Sequence, residues 1–205
     1  MSTIAIIPIP GIAQIRPGDD LPSLLLDAID RAKVGLKSGD ILVLCQKIVS
    51  KAEGAVVDLK TVEPSPFARQ IATMWEKDPR LVEVVLRESN RIIRMKNGVV
   101  ITETKQGWVC ANAGVDESNS LGDDIAIVLP KDPDASARTI RVAIQERRHV
   151  TIGVIIPTRL AGPGATAWWS LPLGCQALSR YSISVAPRTC KAANCTTRWS
   201  RWPMN

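Results

Sequence analysis

Residues 92–103 read Ile92-Ile93-Arg94-Met95-Lys96-Asn97-Gly98-Val99-Val100-Ile101-Thr102-Glu103. Two β-rich runs flank Asn-Gly, a dipeptide that tolerates the positive φ of a two-residue turn, so an antiparallel hairpin is predicted. Strand and helix patterns alternate on both sides of it. A hairpin set among them argues for a mixed α/β or α+β body rather than a regular βαβ repeat.

Working toward the N-terminus, the apolar positions Leu21, Leu24, Leu25, Ala28, Ile29 and Ala32 have helical spacing behind Asp19 and Asp20. Residues 3–9 are Ile-rich and read as a strand ended by Pro10-Gly11. Ile41–Cys45 reads as a buried strand after the turn Lys37–Asp40, and residues 55–59 as another. Pro64 and Asp78-Pro79 open helices reaching about Glu76 and Ser89. Beyond the hairpin, Trp108–Cys110, Ile125–Leu129 and Thr151–Ile156 read as strands, and Ser136 as the cap of a helix ending near Arg148. Apolar periodicity stops after Ile156.

The charge changes at the same point. All 20 acidic residues precede residue 157, and the last is Glu146. The body is therefore electrically balanced, and the segment 157–205 carries the whole net charge of +6. That segment also holds Trp168, Trp169, Trp199 and Trp202. A folded domain normally mixes its charges and hides its aromatics. Apolar residues make up 45% of the chain, which excludes wholesale disorder. No uncharged apolar run is long enough for a membrane span, and the N-terminus lacks the basic region of a signal peptide. The five scattered cysteines show no metal-ligand spacing with the one histidine, so reduced thiols in a cytoplasm are expected. His149 follows two arginines at a predicted helix end, where a contact with the helix dipole is its expected role.

Three loops carry chemistry. Residues 111–120 set Asp116 and Asn119 three apart in a Gly-containing loop, offering the oxygen ligands that a hard divalent cation prefers. Gln46, Lys47 and Lys51 follow a buried strand, where cations are well placed to meet phosphates. In Gly11-Ile12-Ala13-Gln14-Ile15 the glycine permits close backbone approach to a ligand. The plain alternatives are a solvated connecting loop for 111–120 and a solvated lysine beside Glu53 for Lys51. A Gly-x-x-x-x-Gly-Lys-Ser/Thr phosphate loop is absent from the sequence.

Three motifs, in order and spacing, resemble the coenzyme F420-0:γ-glutamyl ligase family. They are Pro8-Ile9-Pro10-Gly11-Ile12; Gly39-Asp40-Ile41-Leu42-Val43 followed by Ser50-Lys51-Ala52-Glu53-Gly54; and Asn112-Ala113-Gly114-Val115-Asp116-Glu117-Ser118-Asn119. The resemblance covers about residues 3–156. It implies a ligase that adds L-glutamate to coenzyme F420-0 at the expense of GTP, through an acyl phosphate. It further implies GTP binding at Ile12, Ala13, Gln14, Ile15, Gln46, Lys47, Lys51 and Asn119. Asp116 falls on a metal-ligating aspartate, the metal being magnesium or manganese, and the family forms a homodimer.

After its last matching strand the family continues Ser/Thr-Asp-Thr-x-Gly-Arg-Pro-Trp-Arg, with further metal ligands. This chain reads Pro157-Thr158-Arg159-Leu160-Ala161-Gly162-Pro163, with no acid. Joining the third base of each codon to the first two of the next turns Trp168-Trp169 into Val, Trp202-Pro203 into Ala and Met204-Asn205 into Glu. The degenerate positions between them permit the family's own continuation. The expectation is a one-base loss near the codon for Pro157, dividing the chain into a ligase-like part, 1–156, and an irregular, non-homologous tail, 157–205, and leaving it with little activity. Two rival readings are a basic-tailed nucleic-acid-binding protein, supported by the arginines around Trp199 and Trp202, and an unrelated nucleotide-binding enzyme with a native tail.

Overall fold

A computed structural model describes residues 5–96, 98–117, 124–160 and 169–176, with side chains up to residue 157. The order is helix α1 (Leu21–Arg31), strand β1 (Ile41–Val43), α2 (Gln46–Ala52), β2 (Val56–Asp58), α3 (Pro66–Trp75), α4 (Pro79–Arg87), β3 (Ser89–Lys96), β4 (Val99–Thr104), β5 (Val109–Ala111), β6 (Ile125–Ile127), α5 (Pro133–Arg148), β7 (Gly153–Leu160) and β8 (Trp169–Gln176). This is an α+β body. Among the described residues the strands form three small sheets, ordered β1-β7-β8, β2-β6 and β3-β4-β5.

The largest core joins α1, α2 and α5 to the parallel pair β1–β7. Leu25 and Leu26 of α1 and Ile140 and Ile144 of α5 meet Leu42, Val154 and Ile156 of the strands. Burying each large aliphatic side chain contributes roughly 1.5–3 kcal/mol. The helices start where their sequences direct. Asp20, Ser65, Asp78 and Asp132 each cap a helix, accepting a backbone N–H, and each is followed by a proline at one of the first two helical positions.

The predicted hairpin is β3–β4, extended by β5 into an antiparallel sheet. Gly98 at its turn has φ 76°, and a Cβ there would contact Trp75 and Lys77 at the end of α3.

Several expectations are corrected. Residues 5–10 belong to no strand, because no neighbouring strand pairs with them; Ile6 is 93% exposed. Helix α5 begins at Pro133 rather than Ser136, since Asp132 supplies the cap and Pro133 the preset φ. Helix α2 was not foreseen. Its N-cap residue, Cys45, makes no side-chain cap, so the usual start signal is missing. The expected irregularity from residue 157 fails over two stretches. Strand β7 runs on to Leu160, and β8 pairs with it in antiparallel register. Ladder hydrogen bonds run between backbones and do not require the acidic residues the segment lacks. The register shifts at Ile156/Pro157, and Pro157 faces Pro172, two residues without an N–H to give the ladder. Residues 177–205 lie outside the described residues.

Candidate active site

The segment leading to Asp116 is conformationally unusual. Asn112, Ala113 and Gly114 have φ of 50°, 52° and 70°, three successive residues in the left-handed region. Such a conformation costs a non-glycine residue about 1–2 kcal/mol. The turn is closed by the Val115 N–H donating to the Asn112 carbonyl at 2.9 Å, and the Val100 N–H donates to Asn112 Oδ1 at 3.2 Å. Gly114 is required twice over. Its φ is positive, and a Cβ would lie 2.8 Å from Leu129 Cδ2. Asp116 then exchanges two backbone hydrogen bonds with Ile127, at 3.0 and 2.8 Å. The aspartate backbone is thus clamped to β6.

Helix α2 brings Lys47 to this carboxylate. Lys47 Nζ lies 2.8 Å from Asp116 Oδ2, with the two side chains 22% and 36% exposed. A pair this exposed adds only about 0.2–1 kcal/mol to stability. Its weight lies in position: it joins two of the three predicted loops. Lys51 is four residues further along the same helix, so both lysines share one face. Gln46 is buried and has a structural task. Its Nε2 donates to Ser50 Oγ at 2.5 Å and to the Val128 carbonyl at 3.2 Å, fastening α2 beside the exit of β6.

The first predicted loop adjoins the other end of α2. The Gly18 N–H donates to the Ala52 carbonyl at 2.9 Å. Ile15 is buried in the same core cluster as Val49, and Ile12 packs against that cluster. Ala13 and Gln14 are exposed. In this loop, therefore, a ligand has the backbone and these two residues to meet, and the isoleucines serve as anchors. Asn119 lies outside the described residues.

The loop that follows Asp116 is also anchored where it returns. Asp124 pairs with Arg80 at 3.0 Å and with Lys60 at 3.5 Å. Arg80 also pairs with Asp78 at 2.6 Å. The pairs of Asp124 with Arg80 and Lys60 and the Gly114–Leu129 contact were not legible in the sequence, because each joins residues distant along the chain. The left-handed turn did leave a trace in Asn-Ala-Gly, since Asn and Gly are the residues that most readily adopt it. Cys110, close by in β5, is no candidate nucleophile: burial pushes its thiol up to about 12. His149 is the exposed, left-handed C-cap of α5, consistent with the helix-end position read from the sequence.

Magnesium or manganese, expected at Asp116, can be weighed against the donors. Among the described residues there is no cluster of three His, Cys, Asp or Glu side chains. Asp116 offers one carboxylate. Magnesium bound with a nucleotide commonly takes one or two carboxylates and completes its shell with phosphate and water oxygens. The site therefore fits a cation that is shared with a nucleotide. Among the described residues no helix is long and apolar enough to cross a membrane.

The family model described as F420-0:Gamma-glutamyl ligase matches residues 11–188. The chain is 47% identical over 156 residues to the coenzyme F420:L-glutamate ligase of Methanopyrus kandleri, covering 76% of this chain and 60% of that protein. It is 44% identical over 153 residues to the protein of the same name from Methanothermobacter thermautotrophicus, covering 75% and 60%. The Haloarcula marismortui protein of that name is 35% identical over 172 residues. The matched part of this chain thus spans about 60% of the length of the first two relatives. On the breadth of the family match and the identity of these relatives, the chain belongs to the F420-0:gamma-glutamyl ligase family.

Proposed function

We propose that the intact protein is a GTP-dependent ligase that joins L-glutamate to coenzyme F420-0. An oxygen of the coenzyme's terminal carboxylate attacks the γ-phosphorus of GTP. GDP leaves, and an acyl phosphate forms. The glutamate amine then attacks the acyl carbon, inorganic phosphate departs, and the amine proton passes to solvent as the amide forms. Lys47 and Lys51 neutralise phosphate charge from one face of α2. Ala13, Gln14 and the backbone of residues 12–15 line the nucleotide's approach, and Asn119 contacts it. Asp116 would hold magnesium or manganese, which would offset charge on the transferring phosphoryl group. Residue chemistry and the family's printed name support this reading. The observation that carries it is the 2.8 Å approach of Lys47 to Asp116, which sets a cation suited to phosphate beside an anion suited to a divalent metal.

The segment from residue 157 is, on this account, read out of frame. The acid-free sequence Pro157-Thr158-Arg159 stands where the family supplies further metal ligands. The 205-residue chain is then a weak ligase, and its basic charge is no sign of a nucleic-acid partner. The test is to incubate the frame-restored protein with GTP, manganese, L-glutamate and coenzyme F420-0. Glutamylated coenzyme, GDP and phosphate are expected in equal amounts, and none without GTP. Product formation that proceeds equally well without any nucleotide would overturn the proposal.

A further inference from the structure

We infer that Lys47 is a placeholder for the divalent cation: its ammonium holds the metal-facing side of Asp116 until a nucleotide draws it away. This makes metal binding at Asp116 dependent on nucleotide, and it rests on the metal role proposed for that carboxylate. Three observations carry it. First, Lys47 Nζ already contacts Asp116 Oδ2 at 2.8 Å. A magnesium ion on that oxygen would sit about 2.1 Å away, so the two positive centres would compete for the same side of one carboxylate.

Second, the two partners differ in freedom. The Asp116 backbone is clamped to Ile127 by two hydrogen bonds and approached through the tight turn at Gly114. The part-buried Lys47 ammonium ends a flexible four-carbon stem, whereas the Asp116 carboxylate is one carbon from its clamped backbone, so the lysine is the partner that moves. Third, Lys51 shares the helix face with Lys47. Phosphates arriving at this face give Lys47 another anion to bind, and they add their oxygens to the single carboxylate, which alone holds a cation only weakly. Nucleotide and metal then promote one another's binding, by the same factor in each direction.

Manganese binding to the purified 205-residue chain, followed by the electron paramagnetic resonance of free manganese, tests this without turnover. Lys47→Met should tighten manganese binding in the absence of nucleotide by about 2- to 5-fold, the range expected from releasing a part-exposed ion pair. Lys47→Arg should bind manganese as weakly as the unaltered chain. Lys51→Met is the control for a general loss of positive charge and should have a smaller effect. With a non-hydrolysable GTP analogue present, the advantage of Lys47→Met should vanish. The placeholder role is overturned if Lys47→Met binds manganese no more tightly than the unaltered chain, including the case where neither binds. It is equally overturned if Lys51→Met tightens binding as much. Asp116→Asn separates the two claims: manganese binding unchanged in that variant sinks the metal site itself, whatever Lys47 does.

Discussion

Asp116 owes its position to the backbone on either side of it and to Ile127. The left-handed turn at Asn112–Gly114 sets its direction, and the two bonds to Ile127 fix its depth. Gly114→Ala should therefore lower stability by about 1–3 kcal/mol, the usual cost of a strained backbone conformation, measured by urea unfolding. The added methyl meets three atoms of Leu129, so the loss should be larger than at Gly107, where a Cβ meets nothing within 4 Å. Equal losses at the two glycines would mean that the Leu129 contact relaxes freely. Lys51→Ala should weaken GTP binding about tenfold, as expected for losing one charge-assisted contact, with a smaller effect on the rate at saturating GTP. Titration with a fluorescent GTP analogue measures the first and a saturation assay the second. At this scale the sequence could single out candidates, since short polar groups and paired lysines suit phosphate and metal chemistry. Their partners were not legible: Lys47 and Asp116 lie far apart in sequence and meet only because α2 and β6 are fastened together through Gln46 and Val128.

Among the elements, helices with a capping aspartate or serine before proline could be found to within a few residues. Helix α2 could not, because Cys45 caps nothing, and the described part of the predicted strand at 3–9, residues 5–9, has no strand partner among the described residues. Helix α4 offers a direct test of capping. Asp78 accepts the Arg80 backbone N–H and pairs with its guanidinium, and the hydrogen bond from Arg80 holds its carboxyl below the ordinary range. A carboxyl lowered in the folded state stabilises fully above its unfolded value, and the contribution fades as pH falls through the folded one. Asp78→Ala should thus cost about 1 kcal/mol at neutral pH, with the deficit shrinking in acid. Chemical denaturation at several pH values measures this. A deficit that stayed constant into strong acid would assign the loss to packing instead of the charged cap.

For the whole molecule, composition located a boundary that no local pattern could explain. The last acidic residue is Glu146 and apolar periodicity ends at Ile156, yet β7 and β8 carry a backbone ladder past that point. A ladder needs little from side chains, so its presence is compatible with the proposed change of reading frame. Sequencing of the locus should reveal an open frame that continues from the codon for Pro157 with Asp-Thr-x-Gly-Arg; a stop within a few codons of that frame would end the account of the tail. The claim that matters most is that Asp116, held beside Lys47, is the metal-bearing carboxylate of a glutamate ligase. The most direct measurement is GTP-dependent glutamylation of coenzyme F420-0 by the frame-restored protein and its Asp116→Asn variant, with products identified by mass spectrometry. The account predicts glutamylated coenzyme from the former and a loss of at least about a hundredfold in the latter, as for removal of a group that stabilises transition-state charge. Ligation by Asp116→Asn at the unaltered rate would contradict it.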